Sequence, residues 1–588
     1  MRGRAVAVAG TFGPVALITV VGAALRLWSF DRVGANPFYD AAVRSMSLSW
    51  HNFFFGAFEP GGQVSVDKAP ADLWLQVASV KLFGFTDVAM RLPEVAGGIV
   101  AIPLLYDLVR RLFGPLAGMG AAATLAVLPA AIVTAHSDTM DSVMMALDVL
   151  AAWLVVLAAQ RRRAWPVVAA GAVVGLAFNV KLFEALIFLP ALMVLAVLTG
   201  AGPMRRRALA LGGSVAALLM VGLGWIAVAS LTALGQRPWP IGSSDGSIWN
   251  VVFAYDGIDR VRARASAAAL ALDPPGVLRF FSRGGHGYLL TIGTTLMAAL
   301  AIGGAALAVA VVERRHRRGR RSLQVAGAAF FGTWLVTGVG LLSHMQRMQP
   351  RYLDAVAPAV AAVVGIGVGA LAGAPRRLPR TALAASAAGV AVTGILLAHP
   401  PTWLMVLAVA AAAGGGLAVA VVSDRGRSAV LAVCALLAVL AVPAAGAVTV
   451  AGQHRSDAGL PSRMTAGEVA RLSAFLVRHQ GGARFEVASS TVVRAAPLIV
   501  HDGRPILMLT SLAGRPLLSA GKLAGLVSGG QVRYALLGRG ACATSAARTC
   551  APAVKWAMSH ARDVSPSAGL PPETLYALGT ATARTTGV

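Results

Sequence analysis

Blocks of about 20 apolar residues, parted by short polar or basic connections, fill the chain as far as position 452, and a block of that length is what a helix needs to cross a bilayer. They lie near 6–28, 88–109, 114–134, 140–160, 164–179, 182–200, 208–233, 288–312, 323–342, 353–373, 381–398, 402–422 and 428–450. The first block follows Met1, Arg2 and Arg4; it is too long for the core of a signal peptide and lacks a cleavage site, so it reads as a retained span. The pattern predicts a polytopic α-helical membrane protein of about thirteen spans over residues 1–452, followed by something different.

Basic clusters fall at every second connection: Arg2/Arg4, Arg110/Arg111, Arg161 to Arg163, Arg205 to Arg207, Arg314 to Arg321, Arg376 to Arg380 and Arg425/Arg427. Such clusters mark the cytoplasmic side. Arg triplets flank 164–204, so an even number of crossings must lie between them, which a hairpin with Asn179 to Lys181 at its outer tip satisfies. The long or chemically rich connections 29–87, 135–139, 234–287 and 343–352 then all face away from the cytoplasm, and so does everything after Gly452.

Residues 453–588 change character. Turn signals such as His501 to Pro505 separate short apolar stretches, among them Leu498 to Val500 and Tyr534 to Leu537, and helix-like and strand-like pieces alternate. A small soluble α/β domain is expected. Cys542 and Cys550 lie close together in it, and in an oxidising compartment they read as a disulfide; Cys434 is alone in the last span. Composition agrees with the membrane reading: 57% of the 588 residues are hydrophobic and 13% charged, with mean hydropathy +0.71, against about 25% charged in soluble domains. The net charge of +26 sits in the short Arg clusters between spans, which excludes a nucleic-acid-binding face. The Ala-, Val-, Gly- and Arg-rich usage fits a high-GC bacterial gene, hence a multi-pass protein of a bacterial cytoplasmic membrane.

The first long stretch that is not apolar, Asn36 to Pro70, carries Asp40, Glu59 and Asp67, Arg44 and Lys68, His51, and six aromatics from Phe38 to Phe55. Tyr39 to Phe55 suits a short interfacial helix, and the loop is expected to form the floor of an outward-facing active site. Five polar groups stand at outer span ends. Asn36 and Asp40, four apart, share a helix face; the bland alternative is a solvated carboxylate. Asp67 and Lys68 offer a carboxylate and a point charge that can grip phosphate, or a plain surface pair. In His136 to Asp141, Asp138 and Asp141 stand out, Asp141 also favouring the positive end of its own helix. Lys181 at the hairpin tip has Asn179 and Glu184 nearby, and the last is an i,i+3 partner. His344, Arg347, Arg351 and Tyr352 close the set, with snorkelling arginines as the plain reading. Ionisable groups gathered at one membrane level are costly without a role.

Taken in order, NPFYDAAVRSM, SWHNFFFGAFEPGG, VDKAP, RLPEV, TMDS and FNVKLFEALIFLP resemble the bacterial membrane glycosyltransferases of the GT-C class. That superfamily includes the protein O-mannosyltransferases and the aminoarabinose transferases of lipid A. FEVASSTVVRAAPLIVHDGRP is similar to the C-terminal domain of a branch named as mannosyltransferases. The resemblance covers nearly the whole chain. It implies the GT-C fold and transfer of a sugar, mannose or another hexose or pentose, from a polyprenyl-phosphate donor to an outer-face acceptor, with inversion. By resemblance Asp67 and Lys68 fall on an acidic-Lys-Pro-Pro motif whose Lys contacts the donor phosphate, Asp141 on the acidic residue opening the fourth span, and Lys181 on an Asn-x-Lys tip. The chain departs from the pattern in three places. Ala69 replaces the first Pro; the superfamily's acidic base would fall near Asn36, where there is no carboxylate; and HMQRMQPRY is not the expected His/Tyr-rich run.

The chemistry asks for a base to take the acceptor proton and cations for the leaving phosphate. Asp40, Asp67 and Asp141 are the candidate carboxylates, Lys68, Lys181 and Arg351 the cations, and Asn36, Tyr39, His51, Asp138, His344, Arg347 and Tyr352 further site candidates. Asp40, one helical turn after Asn36, is the preferred base, because Asp67 adjoins a cation and Asp141 a helix N-terminus, both of which weaken a base. No cofactor is required, and a divalent metal is left open. The acceptor is a lipid, a protein, a wall polymer or an exported metabolite. The rival readings are a flippase or transporter of a lipid-linked sugar, and a scaffold whose outer domain binds envelope polymers.

Overall fold

The structure is a computed structural model. It describes residues 2–34, 36–200, 202–261, 274–282, 288–314, 322–346, 348–421, 424–457, 464–512, 514–538, 541–542 and 550–579. Two compact units emerge: Met1–Gly34, Arg91–Gly224 and Asp259–Asp457 form one, and Ala35–Met90, Trp225–Ile258 and Ala458–Val588 the other. The segment after Asp457 thus shares a unit with the first polar connection.

In chain order the helices up to Gly452 are α1 (Arg2–Leu27), α2 (Pro37–Met46), α3 (Trp50–Phe55), α4 (Ala71–Phe83), α5 (Asp87–Phe113), α6 (Pro115–Ala126), α7 (Pro129–Ala135), α8 (Asp141–Arg161), α9 (Trp165–Lys181), α10 (Leu189–Thr199), α11 (Met204–Leu231), α12 (Asp259–Val261), α13 (Tyr288–Arg314), α14 (Ser322–His344), α15 (Ala357–Ala372), α16 (Arg377–Ala398), α17 (Thr402–Val421) and α18 (Asp424–Gly452). Each of the thirteen predicted spans is helical, so the chain is a multi-pass membrane protein. Their lengths correct the simple picture. Among the described residues ten helices are long and apolar enough to cross a membrane, and α6 and α7 make an eleventh bent by 59°, while α10 and α15 have only 11 and 16 residues. Pro190 and Pro358 stand in the first turn of these two, where a missing N–H costs nothing but the helix cannot grow backwards. Before α10, Leu182 takes a left-handed φ of 51° and 182–186 winds as a 3-10 turn. Hydropathy does not register such breaks. The basic positions 315–321 lie outside the described residues.

Within the first unit, α6 and α15 pack backbone to backbone. A Cβ on Gly365 would collide with the main chain of Ala117 and Ala121, and one on Gly120 would stand 2.8 Å from the Gly365 Cα. Lipid offers no hydrophobic drive for helices to associate, so small residues that allow such close approach take over.

In the second unit the expected interfacial helix is two, α2 and α3, broken at Ser47–Ser49, with Ser49 capping α3 through Asn52 N–H at 3.1 Å. α4, which the hydropathy pattern left unassigned, follows Pro70. The strand β1 (Val64–Ser65) pairs in parallel with β2 (Trp239–Pro240). The C-terminal part is the expected small α/β domain. Its helices are α19 (Ala466–His479), α20 (Val492–Asp502), α21 (Ala520–Ser528) and α22 (Pro552–Ser559), and its strands β3 (Val487–Ser489), β4 (Ile506–Met508), β5 (Tyr534–Leu536), β6 (Ala561–Asp563) and β7 (Leu575–Leu578), in sheet order β4-β3-β5-β7-β6. β3 runs parallel to β4 and β5; β5–β7 and β6–β7 are antiparallel. Buried Ala488, Leu507, Leu523, Ala535 and Val554 fill the core between sheet and helices. Thr465 and Glu468 close a capping box on α19. Of the two short apolar stretches, Tyr534–Leu536 is a strand, whereas Leu498 to Val500 lies inside α20, which packs against α2. Cys542 and Cys550 form the expected disulfide, Cα atoms 4.7 Å apart.

Candidate active site

The candidate residues fall into two clusters, one in each unit. In the second unit, Pro37 opens α2 with its fixed φ, and both Asn36 and Asp40 are buried, at 2% and 1% exposure. The helix that an Asp40 one turn beyond Asn36 requires is present, with Asp40 N–H bonded to the Asn36 carbonyl at 3.0 Å. The chain from α3 to α4 folds back as a tight hairpin: Phe58 N–H donates to Val64 O, and Val66 N–H to Gly56 O, each at 2.9 Å. At its end Lys68 Nζ donates to the Tyr39 hydroxyl at 3.0 Å and stands 3.6 Å from Asp67 Oδ2; the Lys68 and Asp67 side chains are 11% and 8% exposed. An ammonium so shielded attracts anions far more strongly than one in water. His51 is exposed and its Nε2 meets the Gln236 carbonyl at 2.9 Å, bracing two loops.

Glu59, in the same hairpin, is fully buried. It accepts N–H bonds from Gly61 at 2.6 Å and from Gln63, and the amides of Ile506 and Val64 also stabilise its charge. Burial nevertheless pushes its pKa up to about 7. Gly61 is needed here, because a Cβ would stand 2.9 Å from the Glu59 carboxylate. In the C-terminal domain burial, reinforced by the neighbouring Asp502 carboxylate, lifts Glu486 to about 8.

In the first unit the site is built on the start of α8. Met140 takes a left-handed φ of 75° and Asp141 opens the helix. The first amides of α8, at Ser142 and Val143, are taken by Glu94 Oε2 from α5 at 2.9 and 3.3 Å, which satisfies donors that every helix N-terminus leaves over. Lys181, the last residue of α9, is 3.0 Å from Asp141 and also donates to the Thr139 carbonyl; the two side chains are 3% and 0% exposed. Lys181 therefore pairs with Asp141 across the two helices. Asn179 donates to the carbonyls of Gly175, Val221 and Gly222 at 2.7–3.2 Å and ties α9 to α11. Asp354 adds a second buried carboxylate: it accepts from Thr134 Oγ1 at 2.5 Å and interacts electrostatically with Asp141, Lys181 and Arg26. Arg351 pairs with Asp457 at 2.9 Å, its guanidinium 5.9 Å from the centre of the Tyr352 ring, and the Asp457 amide donates to Ser137 Oγ at 2.7 Å. Asp138 is buried at 1% exposure, and Tyr352 at 7%. His136 has Nε2 3.0 Å from the Arg26 carbonyl and Nδ1 3.1 Å from the Arg455 carbonyl, and burial pushes its pKa down to about 4. His344 ends α14 on an exposed surface, and Arg347 lies outside the described residues.

Sequence reasoning missed Thr134, Asp354 and Asp457, and met Glu94 only inside the RLPEV motif. A signal for two of them was there: Glu94 and Asp354 are carboxylates inside or at the edge of apolar spans, where they are rare without a role. Arg91 of the same motif donates to the carbonyls of Val33 and Gly34, each at 2.9 Å, and ties the end of the first span to α5. Among the described residues no three His, Cys, Asp or Glu side chains are grouped to hold a metal ion.

The helical membrane bundle, with its small C-terminal α/β domain, has the GT-C membrane glycosyltransferase fold. Solved structures with a similar fold include ArnT from Cupriavidus metallidurans bound to undecaprenyl phosphate, 18% identical with TM-score 0.52 over 85% of this chain and 86% of that one. Another is the archaeal oligosaccharyltransferase AglB from Archaeoglobus fulgidus in complex with an inhibitory peptide and a dolichol-phosphate, 14% identical with TM-score 0.50 over 89% and 69%. At these identities the likeness is one of fold. Residues 67–225 match the family of dolichyl-phosphate-mannose-protein mannosyltransferases, and 472–560 the C-terminal domain of the putative mannosyltransferase YkcB-like family. Two separate segments of the chain thus match mannosyltransferase families, on a GT-C fold. Putative mannosyltransferase YkcB of Bacillus subtilis (strain 168) is 31% identical over 241 residues, 41% of this chain and 33% of that protein. The chain spans about a third of the length of the curated relatives it matches.

Proposed function

We propose that the protein transfers a sugar from a polyprenyl-phosphate donor to an acceptor hydroxyl on the outer face of the membrane. The observation that carries this reading is Lys68, a shielded ammonium held by Tyr39 and Asp67 at the first residues of the matched mannosyltransferase segment. In the proposed step the acceptor oxygen attacks the anomeric carbon and the bond from that carbon to the phosphate oxygen breaks. The acceptor proton passes to a carboxylate, and the phosphate monoester leaves as an anion against Lys68. One displacement inverts the anomeric centre. Lys181 and Arg351 are proposed as further donor-phosphate contacts, and Asp141 as a further carboxylate for the reaction. Asp40 is the proposed base. Binding of polyprenyl phosphates by the ArnT and AglB structures supports the donor class.

Lys68→Ala is expected to lower transfer by about 10²–10³, the usual loss for one donor facing a developing anion, with expression and thermal stability little changed. Near-normal turnover would return Asp67 and Lys68 to a surface ion pair. The orientation has its own test. A membrane-impermeant thiol reagent applied to intact cells is expected to reach Cys542 and Cys550 after reduction and not before. Labelling that needs permeabilised cells would put this domain in the cytoplasm.

A further inference from the structure

The turn Glu59 to Gln63 ends five residues before Lys68, and the C-terminal sheet holds it in a specific way. β4 is an edge strand. On one side it pairs with β3, where Leu509 N–H donates to Ser489 O at 2.9 Å. Strand groups alternate in direction, so Ile506 and Met508 turn theirs to the other edge. Both residues are fully buried, and their polar backbone groups must find partners away from water. Gln63 supplies them to Met508: its Oε1 accepts Met508 N–H at 2.8 Å and its Nε2 donates to Met508 O at 3.0 Å. The side-chain amide thus stands in for one residue of a neighbouring strand, and Glu59 takes up the Ile506 amide two residues earlier. The Gln63 main chain is fixed as well, its carbonyl accepting Trp239 N–H at 2.9 Å. From Gln63 onward the chain is bonded residue by residue, through β1 and the Val66–Gly56 bond, to Asp67 and Lys68.

We infer that the C-terminal domain is part of the donor-binding machinery, because β4, by gripping Gln63 and Glu59, fixes the hairpin that presents Lys68 to the phosphate. Gln63 is then a positioning residue. The inference rests on the reading that Lys68 contacts the donor phosphate, and it assigns the domain a task inside the transfer reaction in place of holding an acceptor or a wall polymer. It also explains the residue type. A Glu at 63 keeps the bond from Met508 N–H but turns a carboxylate oxygen towards Met508 O, where a donor is needed.

The test uses the full-length protein in lipid nanodiscs, with undecaprenyl phosphate as probe and hydrogen exchange as a readout independent of activity. Gln63→Ala and Gln63→Glu are each expected to speed exchange at 506–509 and 64–68 and to weaken probe binding about tenfold, the size of one or two lost hydrogen bonds. The thermal midpoint should stay close to that of the unaltered protein. Lys68→Ala, run alongside, is expected to weaken binding without changing exchange at 506–509. If the Gln63 variants exchange faster yet bind the probe normally while Lys68→Ala does not, the positioning inference is overturned and the Lys68 reading stands. Unchanged exchange at 64–68 also overturns it. Normal binding by Lys68→Ala would remove the phosphate reading itself and the inference with it.

Discussion

Asp40→Asn is expected to bind donor normally and to lose about 10²–10⁴ in transfer, the range a positioned general base contributes. The substitution keeps the shape of a side chain that is 1% exposed on α2, so a folding defect is not the expected cause of the loss. Asp67→Asn and Asp141→Asn are the comparisons. Asp67 stands 3.6 Å from Lys68, and Asp141 is 3.0 Å from Lys181 at the head of α8. Removing either should disturb its lysine first, so donor binding and transfer should fall together. Single-turnover transfer measured beside equilibrium donor binding separates the cases. If Asp40→Asn transfers at the normal rate and one of the others binds but stalls, the base lies there instead.

The second large effect is on stability. Lys181 and Asp141 are buried to 3% and 0% side-chain exposure, and breaking such a pair by removing one partner costs about 3–5 kcal/mol, since the other charge stays buried and unpaired. Lys181→Met should therefore lower the thermal midpoint of the purified protein sharply. Adding Asp141→Asn should recover part of the loss, because the carboxylate that Lys181 contacted directly is then neutral. Asp354 makes the single change worse, being a second carboxylate that Lys181 offsets. A single variant as stable as the unaltered protein would mean that water reaches the pair.

The fold was largely legible because spans are written in hydropathy, which a bilayer enforces along the whole chain. Every predicted block is a helix. What hydropathy does not carry is where helices break, and the 3-10 turn after Lys181, the bend between α6 and α7 and the late start of α15 were all invisible to it. Of the candidate chemistry, Asp67 with Lys68 was legible because the residues are adjacent. Asp141 with Lys181 was legible one residue at a time, and their pairing across 40 positions was not. Asp354 was hidden in a different way: its partner Thr134 lies 220 positions earlier and reads as part of an apolar span. Gln63 gave no signal at all, since an uncharged side chain after two glycines looks like a solvated turn until Met508 is beside it.

The seam between α6 and α15 bears on this last kind of contact. Ala117 lies against Gly369 and Ala121 against Gly365, and carrying the same antiparallel count past the bend arrives within two positions at Thr134 and Asp354. The seam works as a ruler whose far end is a hydrogen bond. A methyl group added at Gly365 would meet backbone that cannot give way, and the wedge would be felt on the order of 15 Å along the helix axis, at 1.5 Å per residue. There it would change the reach between a hydroxyl and a carboxylate. Loss of function from a change deep in the lipid, at a residue with no chemistry of its own, is therefore to be sought first in the spacing of Thr134 and Asp354.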